Sequence, residues 1–258
     1  MFYDTITRQD TDGVTIITLN RPDVMNALNT RMRAELAHAV TAAGQEARAI
    51  VLTGQGHAFC SGQDLSDRET LDDMNLEGTL RDEYIPMLKA ITDCPIPVIA
   101  AVNGPAAGAG ANLALAADVV IATQSASFIQ AFTRIGLIPD AGGTYILPRQ
   151  IGMAKAMGAA LFAEKISADQ ASAWGMIWES VPDDAFKGHW QDRAAYLASG
   201  PTEAFKRVKQ ALRASFQNTF DAQLELEGQL QGECGHTRDF KEGVIAFLEK
   251  RKPIFEGH

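Results

Sequence analysis

The sequence predicts an α/β fold in which a largely parallel sheet is followed by a C-terminal helical layer. Three observations predict it. Short apolar runs at residues 49–53, 97–102 and 118–123 alternate with stretches of helical spacing, the pattern that gives parallel strands with right-handed crossovers. Glycine-rich segments follow the first two runs, so two loops gather at the edge where the strands' C-terminal ends meet. Beyond Arg149 the chain becomes mainly helical.

Taken in order, Val14, Ile16 and Leu19 with intervening threonines make an early strand, which Arg21-Pro22-Asp23 ends because proline cannot extend a ladder. Asn29 caps a helix over 30–43, where Met32, Leu36 and Val40 recur every fourth residue as one buried stripe. The 49–53 strand leads into the 54–62 loop. The polar, acidic stretch 66–83 reads as a mobile loop, with a helix after it to Ile91. Asn103-Gly104 turns the chain after the 97–102 strand, a small-residue helix covers 106–117, and 118–123 is strand again. In the last third, Ser167 and Gln170 stand at capping-box spacing, and Pro201, Thr219 and Phe240 mark later helices. Phe240, Val244, Phe247 and Leu248 keep helical spacing in the final one. No linker or repeat interrupts the 258 residues, which read as a core over 1–200 with an appended helical region over 201–258.

Composition narrows the function. Apolar residues make up 46% and charged residues 21%, enough to bury a substantial core. The net charge of −9 repels nucleic-acid phosphates and anionic lipid heads, so neither a nucleic acid nor a membrane is expected as partner. No leader-like or membrane-length apolar run is present, and Cys60, Cys94 and Cys234 have neither disulfide nor zinc-ligand spacing. Reduced thiols, no metal and a cytoplasmic location follow as expectations. Cys60 has no histidine constellation around it and reads as a packing residue.

Three segments carry the residues suited to chemistry. Ala58-Phe59-Cys60-Ser61-Gly62-Gln63-Asp64-Leu65 leaves a strand through a glycine that lets backbone approach a ligand. The run from Asn103 to Asn112 packs Gly108, Ala109 and Gly110 where a helix starts; it suits an anion at free N–H groups or tight helix-to-sheet packing equally. Gly136-Leu137-Ile138-Pro139-Asp140-Ala141-Gly142-Gly143 sets one carboxylate between apolar residues and a Gly-Gly turn. Asp140 is there either a helix cap or a partly desolvated base with a raised pKa.

In this order and spacing the three segments resemble the crotonase (enoyl-CoA hydratase/isomerase) superfamily across essentially the whole chain. Leu19-Asn20-Arg21-Pro22, Asn26-Ala27-Leu28, Asp118-Val119-Val120-Ile121-Ala122 and the ending from Phe247 to Phe255 support it. The resemblance implies a ClpP/crotonase-like fold of repeated ββα units whose C-terminal region, 201–258, joins subunits into a homotrimer or a dimer of trimers. It also implies an acyl-CoA substrate, with coenzyme A as carrier and no separate cofactor. By motif position, the amides of Gln63 and Ala109 would hold the thioester oxygen, each donor typically contributing roughly 10²–10³ in rate.

The positions where hydratases of this family carry two glutamates are Asn112 and Phe132. Asp140 instead matches the base of the phenylacetate-pathway branch, the 1,2-epoxyphenylacetyl-CoA isomerases that form oxepin-CoA; Ser61-Gly62-Gln63-Asp64-Leu65 and Trp174-Gly175-Met176-Ile177-Trp178 are similar to that branch as well. The expected chemistry is a proton shuttle by Asp140 beside an oxyanion hole. Phe59, Ser61, Asp64, Leu65, Gly108 and Pro139 accompany it as substrate contacts. Phe128 and Phe132 are either pocket walls or core, and Asn112 either orients ligand or caps structure. Lys250 and Arg251 are the basic groups assigned to the CoA phosphates, with Phe255 as an adenine neighbour. The alternatives are a Δ3,Δ2-enoyl-CoA isomerase or hydratase of fatty-acid oxidation, and a non-catalytic acyl-CoA-binding homologue.

Overall fold

The computed structural model describes residues 2–66 and 75–258. It opens with a hairpin of β1 (Ile6–Thr11) and β2 (Val14–Leu19), antiparallel with Ile6 opposite Leu19. The turn is Asp12-Gly13, both left-handed at φ +48° and +77°, the pairing whose twist suits a tight hairpin. A strand at β1 is not among the sequence expectations, because Arg8, Gln9 and Asp10 on this sheet edge break any apolar alternation.

Helix α1 (Thr30–Glu46) starts at Asn29, whose side chain accepts from Met32 N at 2.9 Å, and buries Met32, Leu36 and Val40 as expected. After β3 (Ala49–Gly54), the described chain resumes with α2 (Leu76–Thr79), a π-helical turn (Leu80–Tyr84) and α3 (Ile85–Thr92) in direct succession. The expected loop over 66–83 is therefore corrected at its C-terminal part, which is helical from Leu76; residues 67–74 lie outside the described residues.

The central crossover also starts later than expected. β4 (Val98–Val102) is followed by a short strand, β5 (Pro105–Ala107), before α4 (Ala109–Leu115) begins. Then come β6 (Val119–Thr123), β7 (Ser127–Ile129), a 3-10 turn (Ala131–Ile135) and α5 (Gly143–Phe162), kinked at Gly152. The chain continues through β8 (Ile166–Ser167), α6 (Ala168–Ala173), β9 (Glu179–Val181) and α7 (Phe186–Ser199). Ser167 caps α6, its Oγ accepting from Gln170 N at 3.2 Å. Helices α8 (Thr202–Ala214), α9 (Phe220–Gly235) and α10 (Arg238–Leu248) complete it.

The main sheet runs β1-β2-β3-β4-β6-β9, parallel from β2 onward, and β5-β7-β8 form a second, smaller sheet. Alternation along the strands sorts the core into two faces. Ile50, Leu52, Ala100 and Val102 pack with α1, α3 and α4, while Val51, Ile99 and Ile121 pack with Phe186, Trp190 and Ala194 of α7. β3, β4 and β6 are thus buried on both sides, which explains runs that are apolar throughout.

α8 is fixed to the sheet by ions: Lys209 Nζ and Arg213 Nη2 each lie 2.7 Å from the Asp118 carboxylate. The tail folds back too. The Asp239 carboxylate accepts from Glu256 N at 2.7 Å and Gly257 N at 2.9 Å, and Arg48 donates to Phe255 O at 3.3 Å. Phe240, Val244, Phe247 and Leu248 are at least 44% exposed. No described helix is long and apolar enough to cross a membrane.

Candidate active site

β3 and β4 end side by side, Thr53 pairing with Ala101, so the loops leaving them begin as neighbours. Asparagines fasten the first loop. Asn26 donates to Gln55 O at 3.0 Å and Ala58 O at 2.9 Å, and Asn103 Oδ1 accepts from Gly54 N at 3.0 Å. Two isolated parallel bridges, Leu28 with Gln63 and Cys60 with Ala106, tie it to the chain on either side. In the first, Leu28 N donates to Gly62 O at 2.8 Å and Asp64 N donates to Leu28 O at 3.1 Å, so the intervening Gln63 amide faces away from Leu28.

Glycines bring the second loop against the first. A Cβ at Gly62 (φ +99°) would lie 2.7 Å from Ala107 O and 3.4 Å from Ala109 N, and one at Gly110 would lie 2.3 Å from Cys60 O. Only hydrogen fits between these backbones. Ala109 opens α4, so its N–H belongs to the first turn, which has no intrahelical acceptor. Among the described residues neither Gln63 N–H nor Ala109 N–H donates to a protein acceptor. Two free amides therefore sit side by side at the strand ends, an arrangement that can hold a developing oxyanion.

Asp140 comes from the loop between the 3-10 turn and α5. Its backbone carbonyl accepts from Asn112 Nδ2 and from Gly143 N, both at 2.8 Å. α5 is capped by Gly142 without any side-chain bond, so Asp140 is not the helix cap that its position also suggested. Its Oδ1 is buried with no partner among the described residues, and burial raises the carboxyl from its ordinary value to about 6, its own backbone N–H opposing. Such a group is ionised at neutral pH yet returns a proton readily, as a general base requires.

Asn112 is fully buried in α4, with Nδ2 on Asp140 O and Oδ1 accepting from Gln130 Nε2 at 2.8 Å. It is neither a cap nor a ligand contact: both ends of its amide hold protein groups. Gly143 makes room for it, since a Cβ there would sit 2.4 Å from Asn112 Nδ2. Phe132 is buried with its ring edge 3.8 Å from where a Gly108 Cβ would be, so it backs the second loop. Pro139 is buried beside Asp140, and Leu65 is 56% exposed at the rim.

Several expected contacts lie elsewhere. Phe59 and Phe128 are fully buried in the main core cluster and wall no pocket. Asp64 is buried, with Arg21 Nη1 at 2.7 Å and Ser66 Oγ at 2.6 Å; burial pushes its pKa up, but these partners prevail and hold it below the usual value. Ser61 bonds Met25 O and Val24 O. Cys60 is fully buried, which pushes its thiol up to about 12 and removes it as a nucleophile. Phe255 is held by Arg48, at the start of β3, roughly 17 Å along the strand from the site loops. Lys250 is exposed beyond α10, and Arg251 is occupied by Glu242 and Glu249. Within one chain the structure does not bring these C-terminal groups to the loops.

Sequence reasoning missed Gln130, Arg33 and Tyr84. Arg33 is 0% exposed although it neighbours the helical stripe of α1, and Tyr84 sits in the π-helical turn, where regular helical spacing fails. No periodicity marks either one.

Comparison with known proteins agrees with this geometry. The family model described as enoyl-CoA hydratase/isomerase matches residues 9–258. A "probable enoyl-CoA hydratase" of Rhodobacter capsulatus is 63% identical over the full length of both chains. The 1,2-epoxyphenylacetyl-CoA isomerase of Escherichia coli is 46% identical over 95% of each. The crystal structure of enoyl-CoA hydratase from Bacillus anthracis superposes with a TM-score of 0.92 at 35% identity, covering 99% of this chain and 100% of that one. With the expected crotonase architecture, paired free amides at its strand ends and a match along nearly its whole length, the chain belongs to the enoyl-CoA hydratase/isomerase family.

Proposed function

We propose that the protein is an acyl-CoA isomerase that converts ring-1,2-epoxyphenylacetyl-CoA to oxepin-CoA. The thioester oxygen lies between the amides of Gln63 and Ala109, which acidify the α-carbon. The C1–C2 ring bond spanned by the epoxide oxygen opens to the seven-membered ring; Asp140 takes the α-proton, the electron pair moves toward the thioester oxygen, and it returns through a new exocyclic double bond as Asp140 delivers the proton to a ring carbon, so that atoms and electrons balance without a co-reactant.

One observation carries this reading: Asp140 is the site's acid, raised to about 6 by burial, while Asn112 and Phe132 stand where the family's hydratases place glutamates. Neither a buried carboxamide nor a phenyl ring activates water, whereas an isomerisation needs a single shuttling carboxylate. The 46% identity to an epoxyphenylacetyl-CoA isomerase supports the aromatic substrate. The 63% identity to a protein described as a hydratase supports a second reading, addition of water to a linear enoyl-CoA with Asp140 as base.

The test is turnover of wild type and Asp140→Asn on epoxyphenylacetyl-CoA, a 3-enoyl-CoA and a 2-enoyl-CoA. Isomerisation of the epoxide by wild type and its loss in the variant are expected. Equal turnover in the variant would remove Asp140 as base, and water addition to the 2-enoyl-CoA alone would favour the hydratase.

A further inference from the structure

The Gln63 side chain lies beside the site but is not free to meet substrate. Its Oε1 accepts from Tyr84 OH at 2.5 Å and from Arg33 Nη1 at 3.0 Å, and its Nε2 donates to Asp64 O at 3.2 Å. A guanidinium only donates, so the amide end that meets Arg33 is the oxygen. Burial raises the Tyr84 phenol above its ordinary value, keeping its hydroxyl a donor.

Arg33 is an unusual component. It is fully buried, its guanidinium lies 4.9 Å from the Tyr84 ring centre, and it pairs with Glu83 at 2.5 Å. The same Nη1 donates at 2.5 Å to Leu28 O, the carbonyl that also accepts from Asp64 N. The Glu83 end of the pair is 21% exposed, so the pair joins a fully buried guanidinium to the edge of the cluster and fixes where it lies. The π-helical turn Leu80–Tyr84 places consecutive residues, Glu83 and Tyr84, on one cluster, the kind of local irregularity that gathers at functional sites.

We infer that Tyr84 and Arg33 are positioning residues that clamp the Gln63 side chain and thereby aim its backbone N–H at the thioester oxygen. This rests on the reading of Gln63 as an oxyanion donor. The peptide before Gln63 is held at its carbonyl by Leu28, and the residue after it is held by the same Leu28; the side chain is the third point that fixes rotation about the Gln63 amide. Three anchors define an orientation where two leave a hinge.

The experiment uses phenylacetyl-CoA isotopically labelled at its thioester carbonyl, with difference infrared spectra of the bound ligand alongside steady-state kinetics on the epoxide. Wild type is expected to displace the carbonyl band to lower frequency. Tyr84→Phe keeps the ring under Arg33 but loses the hydroxyl; it is expected to lose part of that displacement and roughly tenfold in kcat, with KM and the acid limb of the pH profile unchanged. Gln63→Leu, which keeps the N–H and removes the clamped amide, is expected to do the same. A displaced band in wild type that both variants retain in full, with full kcat, would overturn the clamp alone. No displacement in wild type would overturn the oxyanion reading beneath it.

Discussion

Asn112 donates its side-chain amide to the backbone carbonyl of Asp140 at 2.8 Å while its oxygen accepts from Gln130. Asp140 is thus held by its main chain, and its carboxylate Oδ1 has no partner among the described residues. Asn112→Ala strips a buried donor from Asp140 O and leaves Gln130 Nε2 without its acceptor. A loss of about 2–3 kcal/mol in stability is expected, read by urea denaturation, with lower kcat from a less ordered Asp140 loop.

Ala109→Pro separates catalysis from folding. Proline is well accepted at the first position of a helix, which Ala109 occupies, yet it has no N–H. Turnover is expected to fall roughly 10²–10³-fold with a melting temperature near that of wild type, whereas Ala109→Ser should stay close to full activity. Equal activity in the proline variant would show that this amide holds no charge.

The pH dependence follows from Asp140, which acts as a base only when ionised. With a pKa raised to about 6, kcat/KM should fall about tenfold per pH unit below that point and level off above it. A profile of kcat/KM from pH 4.5 to about 8 reads this directly. An acid limb near the ordinary carboxylate value would show that burial does not tune this group.

The same shift has a cost in stability whose sign is set by linkage. Below the ordinary carboxyl value of 3.8 both folded and unfolded Asp140 are protonated and the group contributes nothing. Between there and about 6 only the unfolded chain has released the proton, so stability falls with pH; above about 6 the penalty is complete. Asp140→Asn is therefore expected to be more stable than wild type by about 2 kcal/mol at pH 8, after allowance for the carboxylate's partial solvent access, and little different near pH 3.5. Chemical denaturation at the two pH values tests the difference.

The parallel core was legible because strands buried on both faces must be apolar throughout, as 49–53 and 97–102 are. β1 was not, since its outer edge needs no apolar pattern; the Asp12-Gly13 pair was the available sign. Motif order located Gln63, Ala109 and Asp140, but only the folded chain puts two amides without partners among the described residues beside each other. The sequence left Phe128 and Phe132 open between pocket wall and core because an aromatic near a loop reads alike in either role; both are buried, Phe128 completely. Arg33 was unreadable for the opposite reason: a charged residue on a helix is taken for solvent-facing until its partners from distant segments, Gln63 and Glu83, are in place.

The hydrogens of Gly62 and Gly110 are what let the two loops touch, and the groups they bring together belong to the main chain. The oxyanion donors are therefore written in backbone rather than in side chains, whereas Leu65 and Ile138 on the flanking loops are 56% and 77% exposed and free to change without disturbing the core. For directed evolution, diversity belongs at the rim, and the two glycines should be left untouched in every library.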